Sequence, residues 1–269
     1  MSQTLWMKSH IEVMRSHNSF GALIWQLGEN WPTGGWGCIE YGPKRNLPGQ
    51  IVGGRWKPLM YLLQRSLFRD VIVACGQDDL CYARNDGLSS ASVLIWLEAW
   101  DLEKPQALRG ISWYPYLGEG RSTAYFQLPS GFKNGADVIL LHVRDRMIPH
   151  QPFFHTEVYL WESPQLLFAK VLSLPVTIHT TVRWNDDAKL ITVELGSDRL
   201  ALYVVLTTLA AGTFSDNAFV LWPGLRKVIL FERLPGMDET IDIDLFRQSL
   251  RVEHLGGPVN VRAVEVSLR

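Results

Sequence analysis

Cysteine is scarce: it occurs three times in 269 residues, at Cys38, Cys75 and Cys81. An odd, small number builds no disulfide framework. Cys75 and Cys81 stand close enough in sequence to pair, but buried free thiols are the expectation. Charge of one sign is missing too. The formal net charge is −1, with no long basic run, which argues against a nucleic-acid surface. No stretch of about eighteen apolar residues occurs, so no membrane span is expected. The opening Met-Ser-Gln-Thr-Leu-Trp-Met-Lys-Ser-His lacks the apolar core of a signal peptide, and there is no Asn-x-Ser/Thr glycosylation acceptor. Together these lean to the cytoplasm, or to a lysosomal or secreted location if upstream sequence carries a signal.

Catalytic signatures are also wanting. There is no Gly-x-Ser-x-Gly elbow, no glycine loop ending in Gly-Lys-Ser/Thr and no His/Cys pair at zinc spacing. His10 and His17 read as a helix-face and a helix-end histidine. No metal and no cofactor are expected.

Tryptophan is what the chain does have: eleven residues, concentrated in the first 115. Three of them fall in Gly21-Ala-Leu-Ile-Trp25-Gln-Leu-Gly-Glu-Asn-Trp31-Pro-Thr-Gly-Gly-Trp36. Its first half, Gly21–Leu27, is an apolar run without helical period, long enough for one fully buried strand. Gly28, Pro32 and Gly34-Gly35 then impose a loop. An indole presents a flat apolar face and one N–H donor, which suits stacking on a sugar ring. The same residues also suit a Trp-rich core with a tight turn.

Around this stretch, residues 3–16 read as a helix, with Met7, Ile11 and Met14 on one face. Trp56–Phe68 has the same spacing at Leu59, Leu62, Leu63, Ser66 and Leu67. Residues 43–54, rich in proline and glycine, form a surface excursion. Helix–strand–helix suggests the tail of an α/β structure. From Val71 the texture turns to β. Strand-like runs occupy Val71–Cys75, Ser92–Trp100, Ser122–Leu128, Asp137–Val143 and Phe153–Trp161. A second set covers Val176–Arg183, Leu190–Glu194, Ala201–Val205, Ala218–Leu221, Lys227–Phe231 and Leu250–His254. Both sets fit antiparallel sandwiches of immunoglobulin type. The expected fold is therefore mainly β: two immunoglobulin-like sandwiches, at 71–173 and 174–269, behind a helix-strand-helix unit at 1–70.

Gly21-Ala-Leu-Ile-Trp-Gln-Leu, Trp31-Pro32, Trp36, Ile39-Glu-Tyr-Gly42 and Arg55-Trp-Lys57 resemble the last barrel strand and following segment of β-mannosidases, in glycoside hydrolase family two. The family's pattern there is roughly Gly-x-Leu-Tyr-Trp-Gln-Leu-Asn-Asp-x-Trp. Gly28-Glu29 replaces Asn-Asp, and residues 43–54 are largely an insertion. Gly212-Thr-Phe-Ser-Asp-Asn-Ala-Phe219 is similar to a signature of the family's final domain.

The resemblance implies that residues 1–70 are the C-terminal tail of a (β/α)8 barrel and that the substrate is a terminal β-D-mannose. The complete enzyme's substrate would be a β-mannoside or an N-glycan-derived oligosaccharide. Trp25 would form the floor of the sugar pocket, with Gln26, Trp31 and Glu29 beside it. Retaining hydrolysis needs two carboxyl groups roughly 5 Å apart. In the family both lie on barrel strands before the one ending in Trp25-Gln26. Glu12, Glu29 and Glu40 inherit neither role, so no catalytic residue is expected here and this chain alone is expected to be inactive. It is then a fragment, one chain of a split glycosidase completed by an N-terminal barrel portion, or a non-enzymatic glycan- or protein-binding module. The first two leave Gly21–Leu27 as an unpaired apolar strand, which invites aggregation. Phe214–Phe219 is expected to build a turn.

Overall fold

The computed structural model describes residues 2–19, 21–31, 35–41, 54–76, 78–146, 155–161, 164–184, 189–233, 240–258 and 262–267. Most of the 43–54 insertion, Pro32, Gly34 and the start of the run at Phe153 lie outside them. The chain divides into two compact units, each discontinuous. The first comprises Ser2–Ala22 and Leu63–Leu174; the second comprises Leu23–Leu62 and Pro175–Arg269. The division falls within helix α2, Pro58–Ser66.

The first unit begins with α1, Ser2–Ser16. Its strands are β1 (Val71–Cys75), β2 (Leu80–Asn85), β3 (Ala91–Trp100), β4 (Arg109–Trp113), β5 (Tyr116–Leu117), β6 (Ser122–Gln127), β7 (Val138–Asp145) and β8 (His155–Tyr159), followed by helix α3, Pro164–Ser173. One sheet runs β1-β2-β6 and the other β4-β3-β7-β8, with β5 on the edge of β3. Alternation explains the sandwich between them. Ile95, Leu97 and Ala99 of β3 and Ile139, Leu141 and Val143 of β7 point inward against Val73, Cys81 and Ala83, all buried. Helix α1 lies on β2, where the Tyr82 hydroxyl donates to the Glu12 carbonyl at 2.6 Å. Arg15 closes its C-terminal end by donating to the carbonyls of Ser66, Arg69 and Asp70 and pairing with Asp86. Trp6 stacks on His10 along the exposed helix face.

The second unit holds β9 (Ile178–Trp184), β10 (Leu190–Ser197), β11 (Ala201–Thr207), β12 (Thr213–Phe214), β13 (Phe219–Leu221), β14 (Arg226–Glu232), helix α4 (Ile243–Ser249), β15 (Arg251–His254), β16 (Gly257–Pro258) and β17 (Arg262–Ser267). Its sheets run β12-β14-β10-β9-β17, with β17 parallel to β9, and β13-β11-β15-β16. Val193, Leu195, Ile229 and Phe231 pack against Val204, Leu206 and Val252. Phe231 sits 4.8 Å by ring centroid from both Phe214 and Phe246. Tyr61 from α2 belongs to this same core, its hydroxyl accepting from the Phe214 N–H at 3.1 Å. Burial pushes that phenol up to about 12.

The mainly β fold with an immunoglobulin-type sandwich is as expected. Three local readings are corrected. Gly21–Leu27 forms no strand: its residues alternate between exposed and half-buried, and no described strand pairs with it. A strand is defined by its neighbours' hydrogen bonds, and apolarity alone does not supply them. Cys75 and Cys81 are not free thiols but a disulfide, because the β1–β2 register sets them directly opposite one another. Cys38 alone is free, and buried. Helices α3 and α4 and strands β2, β4 and β17 occupy segments without an expected element.

Among the described residues, no helix is long and apolar enough to cross a membrane.

Candidate functional site

The Trp-rich stretch is held by a small hydrogen-bonded frame instead of a sheet. Cys38 N–H donates to the carbonyls of Gln26 (3.1 Å) and Leu27 (2.9 Å), and Ile39 N–H also reaches Leu27. Glu29 N–H returns to the Ile39 carbonyl at 3.0 Å. Glu40 N–H then donates to Arg55, and Lys57 N–H to Cys38, each at 2.9 Å. Three segments, 26–29, 37–40 and 54–57, are thus laced side by side, with a parallel bridge at Gly28/Ile39 and an antiparallel one at Ile39/Trp56. Glycine is required where they approach: a Cβ on Gly37 would stand 2.8 Å from the Glu29 nitrogen.

The frame turns three of its indoles to solvent. Trp25, Trp31 and Trp36 are 74%, 63% and 61% exposed, and Leu23 and Leu27 are exposed beside them. The Trp25–Gln26 peptide bond is cis. Gln26 is half-buried and contributes its backbone carbonyl to the frame.

Glu29 faces the other way. Its side chain is 3% exposed; the carboxylate accepts from the Gly37 N–H at 2.9 Å and pairs with the Lys57 ammonium, which also donates to the Gly35 carbonyl. Buried charges persist when paired and hydrogen-bonded. The structure therefore places Glu29 as the clamp between the loop and Lys57, and places Trp25 and Trp31 on the outer surface. Lys57 is the residue whose part in this arrangement the sequence did not reveal. Lys57 lay within the recognised Arg55-Trp-Lys57 string, but nothing in spacing tied it to a glutamate 28 positions earlier. Burial raises the Cys38 thiol beneath the frame, with Lys57 opposing and Glu29 adding.

Two carboxylates do meet elsewhere in the first unit. Glu12 and Glu157 flank Lys8, at 2.7 and 2.5 Å. All three are buried, which leaves no room for a sugar between acid and nucleophile. Glu98 accepts from the indole N–H groups of Trp96 and Trp100 and lies 3.3 Å from His142 Nε2. Burial opposes its ionisation, yet those bonds outweigh it and hold the carboxyl down at about 2. No cluster of three or more His, Cys, Asp or Glu that could hold a metal gathers among the described residues.

The final-domain signature is a turn, as expected. Asp216 Oδ1 accepts from the Asn217 N–H at 2.8 Å, and the Asn217 carboxamide oxygen accepts from Ala218. The amide also bonds both backbone groups of Leu206, at 2.9 and 2.8 Å.

Comparison with known proteins bears out the resemblance read from the sequence. Residues 174–257 match the family Ig_mannosidase, an Ig-fold domain. β-Mannosidase A of Aspergillus oryzae is 29% identical over 252 residues, covering 83% of this chain and 25% of the relative. A β-mannosidase of Rattus norvegicus is 26% identical over 131 residues, 46% of this chain and 13% of its own. The β-D-mannosidase of Dictyoglomus thermophilum superposes with a TM-score of 0.63 at 19% identity, covering 97% of this chain and 29% of that one. The exo-chitosanase CsxA of Amycolatopsis orientalis gives 0.65 at 14%, covering 96% and 33%. The structural likenesses, at these identities, speak for the fold. The chain spans about a quarter of the length of the Aspergillus relative it matches.

Proposed function

We propose, for a chain similar over most of its length to the C-terminal part of β-mannosidase-like glycosidases, that it acts as that part of a retaining exo-glycosidase. In this reading it lines the terminal-sugar site, and two glutamates from other sequence perform hydrolysis. Trp25 is the platform under the terminal mannose. Trp31 flanks it, and Gln26 offers its amide to hydroxyls. Glu29 acts indirectly, by holding the loop through Gly37 and Lys57. The observation that carries this reading is the frame itself: solvent-facing indoles fixed by backbone hydrogen bonds and a buried ion pair. Rigid aromatic faces lose little entropy when a sugar stacks on them.

A chromogenic β-mannoside tests the division of labour. The isolated chain should show no turnover above a buffer blank. Turnover that survives repurification would overturn the claim that the catalytic pair lies elsewhere.

Leu23 and Leu27, fully and largely exposed, favour a second reading. A sugar has no need of two aliphatic side chains, whereas a polypeptide packing against this segment does. That partner would be an N-terminal barrel portion carrying the two glutamates. Co-purification with such a polypeptide, with activity appearing only in the mixture, would support it. Failure of the mixture to associate would remove it.

A further inference from the structure

A cavity of about 400 Å³ opens within the second unit, between Glu40, the segment 55–61, the end of β11 and the α4–β15 junction. That volume lies in the usual range for small-molecule sites. Its inner wall is apolar and aromatic: Trp56, Tyr61, Leu206, Phe214 and Phe231. Trp56 and Tyr61 meet edge to face at 5.5 Å, so two of these rings hold each other in place.

The polar lining is mostly spoken for. Arg55 pairs with Glu40 at 2.7 Å and donates to the Thr208 carbonyl. Lys57 pairs with Glu29. The Ser249 hydroxyl is shared among Thr208, Leu209 and Leu245. Arg251 is different: it lines the cavity, is exposed, and its guanidinium has no hydrogen-bond or ion-pair partner among the described residues. Register places it directly opposite Thr207, also a lining residue. Among the described residues each other cation in the wall is paired with a carboxylate, which leaves the Arg251 guanidinium as the lining cation available to a ligand.

We propose that this cavity binds a small amphipathic carboxylate, its apolar end against Trp56 and Tyr61 and its carboxylate on the Arg251 guanidinium. An apolar interior with a single cation selects for that combination. A neutral hydroxyl would forgo the charge-assisted bond, which is among the stronger ones. The proposal does not rest on the glycosidase reading: segment 54–57 serves both the Trp25 frame and this cavity wall, but Arg251 and the ligand belong to the cavity alone.

The test titrates the whole chain with 3-phenylpropionate, with 3-phenylpropanol as its neutral counterpart and with mannose, following tryptophan fluorescence and calorimetry. The acid should bind at least tenfold more tightly than the alcohol. Arg251→Gln should remove that preference and leave alcohol binding unchanged, because loss of one charged hydrogen bond costs on the order of a tenfold factor in affinity. Thr207→Trp, at an exposed lining position, should abolish binding of both while the unfolding midpoint holds. No binding of the acid at millimolar concentration overturns the proposal. So does equal binding of acid and alcohol, retention of the preference in Arg251→Gln, or a site that takes mannose in their place. Should Arg251→Gln fold poorly, Arg251→Lys serves, with a weakened but surviving preference expected.

Discussion

The amide of Asn217 satisfies both backbone groups of Leu206 and the N–H of Ala218, whose φ is 52°. Alanine would take that amide away from all three buried backbone groups, and a buried group left unsatisfied costs about 1–3 kcal/mol. Asn217→Ala should therefore lower the stability of the second unit by roughly 2–4 kcal/mol in urea unfolding. Aspartate should not rescue it, since the Leu206 carbonyl would still lack a donor.

Glu12 behaves differently. Burial raises its carboxyl from 4.5 to about 7, with Lys8 working against the shift and Glu157 with it. A raised carboxyl means that the folded state holds its proton after the unfolded chain has lost it. The stability this confers is present below about pH 4.5 and is lost as pH rises to about 7. Glu12→Gln should remove that decline while retaining the Lys8–Glu157 pair. Unfolding midpoints across pH 4–8 that decline identically in both proteins would refute this.

The Phe-Ser-Asp-Asn string was legible as a turn because Asp and Asn bond their own backbone locally. The reach of Asn217 to Leu206, eleven residues away, depends on how strands pack and left no trace in spacing.

At the scale of elements, the Trp frame depends on close approach more than on side chains. Gly37→Ala places a Cβ against the Glu29 nitrogen and carboxyl carbon. It should loosen the Glu29–Lys57 clamp and speed amide exchange at Glu29, Cys38 and Ile39, with the first unit unaffected.

The β1–β2 hairpin gives a second element-level expectation. Its disulfide closes a separation of only six residues, so the loop-entropy gain is small, about 2 kcal/mol by the chain-entropy estimate. Substituting both cysteines by serine should lower stability by about that much and keep the β1–β2 pairing, read from far-ultraviolet circular dichroism and urea unfolding. Most strands announced themselves by β-branched and aromatic runs. β2 did not, because Leu80–Asn85 mixes Tyr, Ala, Arg and Asn and owes its place to pairing on both sides with β1 and β6. Helix α3, Pro164–Ser173, was equally silent: its apolar residues crowd together without a clear single stripe.

At the scale of the molecule, each unit draws on distant stretches of chain. Tyr61 enters the second unit's core and accepts from Phe214, 153 positions later. Tyr61→Phe removes that acceptor from a buried N–H and should cost the last sandwich about 1–2 kcal/mol, although the substitution lies outside the sandwich sequence. An unchanged second-unit unfolding midpoint would contradict that coupling.

What the sequence by itself determined is the class: strand-like apolar runs broken by turn residues at moderately regular spacing read as sandwiches of immunoglobulin type. The motif strings around Trp25 and Asn217 carry the likeness to β-mannosidases with equal independence of geometry. Tertiary structure alone decided what became of Gly21–Leu27, which partner Glu29 took, and that Cys75 meets Cys81. Each of these depends on hydrogen-bond and charge partners brought from elsewhere in the chain, and no local pattern encodes a partner.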